Sequence, residues 1–227
     1  MTAIFAGGIQ PIMIGLHSNF HPSAATGFSN PMACIVENEP KLREQLRLFL
    51  QSSMIPVRAF RSGKEFLDQP HHQGPCCLVT NVALPDLHGS DLQTALAGRT
   101  EQVIFLSAHP DVCMCARVMK AGAVDFLLNP VDNDMLLEAV NRGLARSQSI
   151  LCARGTRSAA QAKFDTLTTR ELEVIRRVIT GRLNKQIASD LGIAEKTIKI
   201  HRGRAMHKLS VESVADLVRL AMIAEVE

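Results

Sequence analysis

Five short apolar runs recur between residues 34 and 128, and amphipathic stretches separate them. The runs are Cys34–Val36, Val57–Phe60, Cys76–Thr80, Val103–Leu106 and Val124–Leu128. Between them, the stretches near 40–52, 63–68, 90–97 and 111–121 have helical spacing, and a further helix is predicted from about Asp132 to Ser147. A run too apolar for a half-solvated strand must be covered on both faces, and an alternating helix supplies the cover. Strand and helix in strict alternation therefore predict an α/β doubly wound, five-stranded parallel sheet of flavodoxin-like order. Ligand chemistry in such sheets lies beyond the carboxyl ends of the strands. That rule directs attention to Glu37, Asn38, Asn81, Ser107 and Asn129.

The pattern changes after residue 148. The stretch NKQIASDLGIAEKTIKIHRG, Asn184 to Gly203, has the composition of two short crossing helices. Ala188 supplies a small contact where they touch, and Gly192 the sharp turn between them. Ile187, Leu191, Ile193 and Ile198 supply the packing. A wheel centred on Ile198 places Lys196, Lys199, Ile200, Gly203 and His207 on the opposite face, with Arg204 on its shoulder. That face is basic and free of carboxylates, as a helix entering the major groove of DNA requires. A solvated hairpin whose lysines only keep it soluble is the plainer reading, and the agreement of turn, spacing and charge argues against it.

Caps frame the surrounding helices. Thr168 and Glu171 have capping-box spacing for a helix through about Thr180, closed by Gly181. Asn184 is expected to cap the next helix. The recognition helix is predicted from about Glu195 to Leu209, with Ala194 in a cap position that gains nothing from alanine. Ser213 and Asp216 open a final helix carrying Val214, Leu217, Val218, Leu220, Ala221, Met222 and Ile223. This makes an all-α, four-helix helix-turn-helix unit. The last helix is more apolar than one packed face needs, so Val214, Leu217, Val218 and Ala221 are expected at a dimer contact; a plain core helix is the alternative.

Charge supports this division. The net formal charge of +3 says little, but its placement says more. Arg142, Arg146, Arg154, Arg157 and Lys163 occupy residues 142–163 without an acid among them. The expected organisation is an uncharged, disordered tail at 1–31, an α/β domain at 32–148, a basic linker at 149–163 and the helical unit at 164–227. The tail reads equally well as an upstream extension of a frame beginning at Met32. It lacks the positive start and long apolar run of a secretory signal, and no stretch has the length of a transmembrane helix. A cytoplasmic protein without membrane association is expected. Cys34, Cys76, Cys77, Cys113, Cys115 and Cys152 show no metal-binding spacing, and neither metal nor cofactor is expected. Cys113 and Cys115, near a helix start, are the candidates for redox sensitivity. No nucleophile–base pair is evident, so an enzyme is not expected.

The segments IVENEP, VTNVALPDLHG, VIFLSAHPD, MKAGAVDFLLNPV and LTTRELEVIRRVITGRLNKQIASDLGIAEKTIKIHRGRAMHKL resemble two-component response regulators of the LuxR/FixJ class. The resemblance spans residues 33 to about 224. It implies a receiver domain phosphorylated on an aspartate, then a domain that binds double-stranded DNA, usually as a homodimer. RNA polymerase and a sister regulator are further partners it would allow.

The departures from that family fall in one place. Asn81 stands where the resemblance implies the phosphoacceptor aspartate, Glu37 and Asn38 where it implies two acids, and Asn129 where it implies a lysine. Ser107 and Phe126 keep the implied hydroxyl and switch aromatic. An amide is a poor nucleophile, and Mg²⁺ wants anionic oxygen, so this receiver is expected to be degenerate. Asn38, Asn81 and Asn129 are expected to satisfy one another in a neutral pocket. The nearby Asp86 is the one alternative acceptor. The expectation is thus a sequence-specific transcription regulator independent of phosphorylation. A protein that titrates a histidine kinase or sister regulator is the alternative.

Within the recognition unit, Lys199, Ile200 and Gly203 are best placed for base edges. Lys185, Lys196, Thr197, His201 and Arg204 suit the phosphate backbone; Asn184 and Arg202 complete the expected DNA-binding set, Arg202 lying nearer the core side where it can pair with a carboxylate such as Glu171.

Overall fold

The computed structural model describes residues 29–109 and 111–226. The tail expected to be disordered lies outside the described residues, apart from 29–31.

Five parallel strands form one sheet: β1 (Met32–Val36), β2 (Val57–Phe60), β3 (Cys76–Asn81), β4 (Gln102–Ser107) and β5 (Asp125–Leu128), in the order β2-β1-β3-β4-β5. The predicted flavodoxin-like order is present, and each strand lies within two residues of its expected bounds. The helices α1 (Pro40–Ser52), α2 (Gly63–Leu67), α3 (Gly89–Ala95) and α4 (Val112–Lys120) fill the crossovers. Alternation of side chains along the strands builds two cores. Ala33, Ile35, Val79 and Ile104 face α1 and the start of α5, whereas Val36, Leu78, Val103 and Phe105 face α2, α3 and α4.

The largest difference from expectation is α5, which runs unbroken from Asn133 to Phe164. The helix expected to end near Ser147 continues through the predicted linker. Its first half buries Leu136, Ala139, Val140 and Leu144 in the α/β core, and its far end buries Ala160 and Phe164 in the next one. The apolar pattern fades between those ends, so periodicity alone stops the helix too early.

A third core, in the helical domain, is built by α6 (Thr169–Ile179), α7 (Asn184–Leu191), α8 (Glu195–Leu209) and α9 (Val214–Ala224) with the end of α5. The α8 bounds coincide with those predicted. The capping box is made: Glu171 N donates to Thr168 Oγ1 at 3.3 Å, and Thr168 N donates to Glu171 Oε2 at 2.9 Å. Among the described residues, no helix is long and apolar enough to cross a membrane.

Candidate nucleic-acid interface and receiver pocket

The turn between α7 and α8 is made by Gly192, whose φ of +64° is left-handed, a conformation cheap for glycine alone. Ile187 and Ile198 are wholly buried across the crossing, with Ala188 beside them. The outer face of α8 then presents Lys196, Lys199, Ile200, Gly203, Arg204 and His207 to solvent. A Cβ built on Gly203 would meet nothing within 4 Å, so the helix is bare there and its backbone can approach a groove closely. Thr197, His201 and Arg202 are half-buried at the edges of this face, and Lys185 stands exposed at the start of α7.

Four expectations need correction. The face is not free of acid, because Glu195 starts α8 one turn before Lys199 and pairs with it at 3.2 Å. Asn184 is not the cap of α7 but its first residue; Leu183 precedes it, and Gln186 reaches back to accept from Leu183 N at 2.9 Å. The capping-box spacing was there to be read, but leucine in the cap position concealed it. Arg202 does not pair with Glu171: its Nη1 donates to Asn184 Oδ1 at 3.1 Å, tying α8 to the start of α7. Glu171 is taken instead by Lys208, whose Nζ donates to Oε2 at 2.6 Å. The Lys208 ammonium and the Thr168 N–H together hold the Glu171 carboxyl below the usual carboxylate range.

The fourth correction concerns α9. Leu217 and Ala221 are 0% and 1% exposed and belong to the core of their own domain. The first turn of α9 is fixed by Ser213, whose hydroxyl accepts from Asp216 N at 3.1 Å, and this sets which stripe turns inward. Val214, Met222 and Ile223 are exposed and Val218 half-buried, so the solvent-facing apolar stripe is Val214–Val218–Met222 with Ile223.

The other candidate site lies at the carboxyl ends of β1, β3, β4 and β5. Glu37 is only 2% exposed. Its Oε1 accepts from Glu39 N at 2.9 Å and its Oε2 from Asn81 Nδ2 at 3.4 Å. Asn81 Oδ1 accepts from Ala83 N at 3.1 Å, so the amide is held at both ends. Arg43 donates to the Glu37 and Asn38 carbonyls at 2.7 and 3.2 Å rather than to a carboxylate. Sequence reasoning passed over this arginine, since nothing in its helical position signals a role in the next loop.

The three asparagines do not satisfy one another. Asn81 turns to Glu37 and its own loop, while Asn38 is exposed and Asn129 bonds through its backbone N–H to Ser107 O at 2.8 Å. Nor is the pocket stripped of charge: among the described residues the Glu37 carboxylate accepts from Glu39 N and Asn81 Nδ2 and from no basic side chain. Beside it opens a cleft of about 320 Å³, lined by Asn81, Ala83, Ser107, His109, Met114 and Phe126. The Ser107 hydroxyl donates to His109 O at 3.1 Å.

Asp86, the alternative acceptor, is occupied elsewhere. Its carboxylate accepts from Lys64 N at 2.8 Å and Gly63 N at 3.3 Å, holding the start of α2, and these bonds lower its pKa, that from Lys64 most. Cys113 and Cys115 do lie in the first turns of α4, but the Asp111 carboxylate already accepts from Cys113 N at 3.0 Å. Among the described residues, no group of three or more His, Cys, Asp or Glu is arranged to hold a metal ion.

Two family models match this chain, the response regulator receiver domain over residues 33–141 and the LuxR family of bacterial regulatory proteins over residues 165–221. The chain belongs to the LuxR-type response regulators. This response regulator is 38% identical over 203 residues to nodulation protein W of Bradyrhizobium diazoefficiens, covering 88% of each chain. It is 37% identical over 190 residues to the transcriptional regulatory protein TdiR of Thauera aromatica, covering 83% of this chain and 84% of that one. Among solved structures, the response regulator StyR superposes with a TM-score of 0.76 at 37% identity, over 86% of this chain and 99% of that one. Full-length FixJ of B. japonicum gives 0.51 at 27% identity, over 88% and 99%. A response regulator with this second domain is a DNA-binding transcription regulator.

Proposed function

We propose that this regulator binds specific DNA without phosphorylation of its receiver-like domain. The observation that carries the reading is Asn81. The amide at this strand end is held between Glu37 and Ala83 N, and no carboxylate takes its place. Acyl phosphate formation needs a carboxylate oxygen to attack phosphorus, a metal to hold the donor, and a cation to balance charge. Asn81, Asn38 and Asn129 withhold one or more of each. Asp86 supplies no substitute, since its oxygens already serve α2.

On the DNA side, Lys199, Ile200 and Gly203 meet base edges, while Lys185, Lys196, Thr197, His201 and Arg204 hold phosphates. Arg202 and Asn184 act through each other, fixing the angle between α7 and α8. The working unit is a homodimer in the cytoplasm, joined through Val214, Val218, Met222 and Ile223 and formed without a chemical trigger. Two half-sites about 10 base pairs apart would then be read together.

Selection from random-sequence DNA followed by gel shift on untreated protein tests this reading. A defined, two-fold symmetric site is the expected result. Absence of any DNA preference would favour a protein that instead occupies a kinase or sister regulator.

A further inference from the structure

Residues 153–159 of α5 are a weak place in an otherwise well-anchored helix. All seven, Ala153 to Ala159, are exposed, so no apolar face holds them. The sequence ARGTRSA includes Gly155, Thr156 and Ser158, all poor or middling helix formers. Thr156 Oγ1 donates back to Cys152 O at 2.9 Å, a bond that tends to bend helices. A stretch this short and this composed has no reason to stay helical by itself. Yet it joins the two cores, with Leu144 and Ser147 buried on one side and Ala160 and Phe164 on the other.

Two arginines reach out from it in opposite directions. Arg154 Nη2 donates to the Gly98 carbonyl at 2.6 Å, in the loop after α3 of the receiver-like domain. Arg157 pairs with Glu225, at the end of α9 in the DNA-binding domain. Beneath the helix on the receiver side lies an open groove of about 370 Å³, bordered by Gly98, Gly122, Arg146 and Ile150. Arginine contacts, one hydrogen bond and one ion pair, therefore flank Gly155 on this side of the joint.

We propose that residues 153–159 form a joint set by two arginine struts, Arg154 to Gly98 and Arg157 to Glu225. With both made, the joint is helical and the two domains turn as one body. With both lost, the helix frays at Gly155 and the domains turn independently. Any influence that reaches the Gly98 loop or the end of α9 can thus alter how DNA-binding domains are presented, with no chemistry in the receiver pocket.

The test compares the full chain with the Arg154→Ala/Arg157→Ala double variant. Alanine has the higher intrinsic helix propensity, so loss of helix cannot be charged to the substituted residues themselves. Amide exchange across 153–159 is expected to quicken by about tenfold, as losing one modest hydrogen bond and one exposed ion pair implies, with both domain cores unchanged. Backbone ¹⁵N relaxation is expected to give one shared rotational correlation time for the wild type and two for the variant. Adding Gly155→Ala to the double variant should restore slow exchange, and the swap Arg157→Glu/Glu225→Arg should keep it. Unchanged exchange in the double variant, or two correlation times already in the wild type, would overturn the proposal. None of these readouts depends on DNA binding or phosphorylation.

Discussion

The pocket at the carboxyl end of the sheet and the outer face of α8 differ in the charge their polar residues carry. Around Glu37 the scaffold is intact: the strand order, the Ser107 hydroxyl and the Phe126 ring are all in place. Its polar tips depart from the resemblance, since the amides Asn38, Asn81 and Asn129 occupy three positions where charge is implied. On α8 the left-handed turn at Gly192 comes with exposed cations, Lys196, Lys199 and Arg204. Packing depends on the apolar alternation and phosphoryl transfer on a few polar tips, so the fold stands whatever those tips are. The difference teaches that a sheet's fold rests on its apolar alternation, whereas the chemistry at its edge must be read from the individual polar residues there.

The sharpest way to break this contrast is to look for phosphate on the protein. Incubation with acetyl phosphate and Mg²⁺, read by intact mass, is expected to give no adduct. A stoichiometric adduct in the receiver-like domain would mean the pocket is alive. Asn81→Asp alone should leave the reaction far from restored, since Asn38 and Asn129 are unchanged; it would also set a second carboxylate against Glu37.

On the DNA side, Lys196→Ala should weaken binding to all sequences alike and flatten the log–log salt dependence by about 0.9, the mark of one lost phosphate contact. Lys199→Ala should cost about 1–3 kcal/mol at its preferred site and relax one or two base positions. Titration of labelled duplexes at several salt concentrations separates the two. Equal behaviour of the two variants would show that the division of the face into base and phosphate contacts is mistaken.

A smaller effect concerns what supports α8. Glu171→Gln should lower the stability of the DNA-binding domain at neutral pH by about 1–2 kcal/mol, discounted because Lys208 is partly exposed. The sign follows from the depressed carboxyl. Its contribution is complete above the unfolded value near pH 4.3 and is lost as pH falls through the lower folded value. Urea melts between pH 3 and pH 7 should therefore converge for wild type and variant at the acid end.

The smallest expected effect is a gain. Asn129→Lys should offer the buried Glu37 a cation and raise the stability of the receiver-like domain by about 1 kcal/mol or less. A clear loss would show that Glu37 is already balanced.

Much of this architecture was legible beforehand because two periodicities are strong in it. The strands of the sheet and the bounds of α8 follow from apolar spacing and turn residues, and the Thr168–Glu171 box from a pattern three residues long. What escaped notice depends on side chains that meet across distance. Arg202 with Asn184, Lys208 with Glu171, and Arg154 with Gly98 are separated by 18, 37 and 56 residues, and no local pattern announces such pairs. The inward turn of Leu217 and Ala221 was missed for a related reason. A helix apolar on most of its circumference does not say which stripe its own core will claim. The full length of α5 was hidden by its exposed middle, where helix persists without the pattern that predicts it.

The proposed DNA binding through α8 needs no reaction in the Asn81 pocket. It is tested most directly by measuring the affinity of the full-length protein for its selected DNA site, untreated and after acetyl phosphate with Mg²⁺, at one salt concentration. The account predicts the same dissociation constant and the same dimeric complex in both samples. A tenfold or greater tightening on treatment, accompanied by a phosphoadduct, would contradict it.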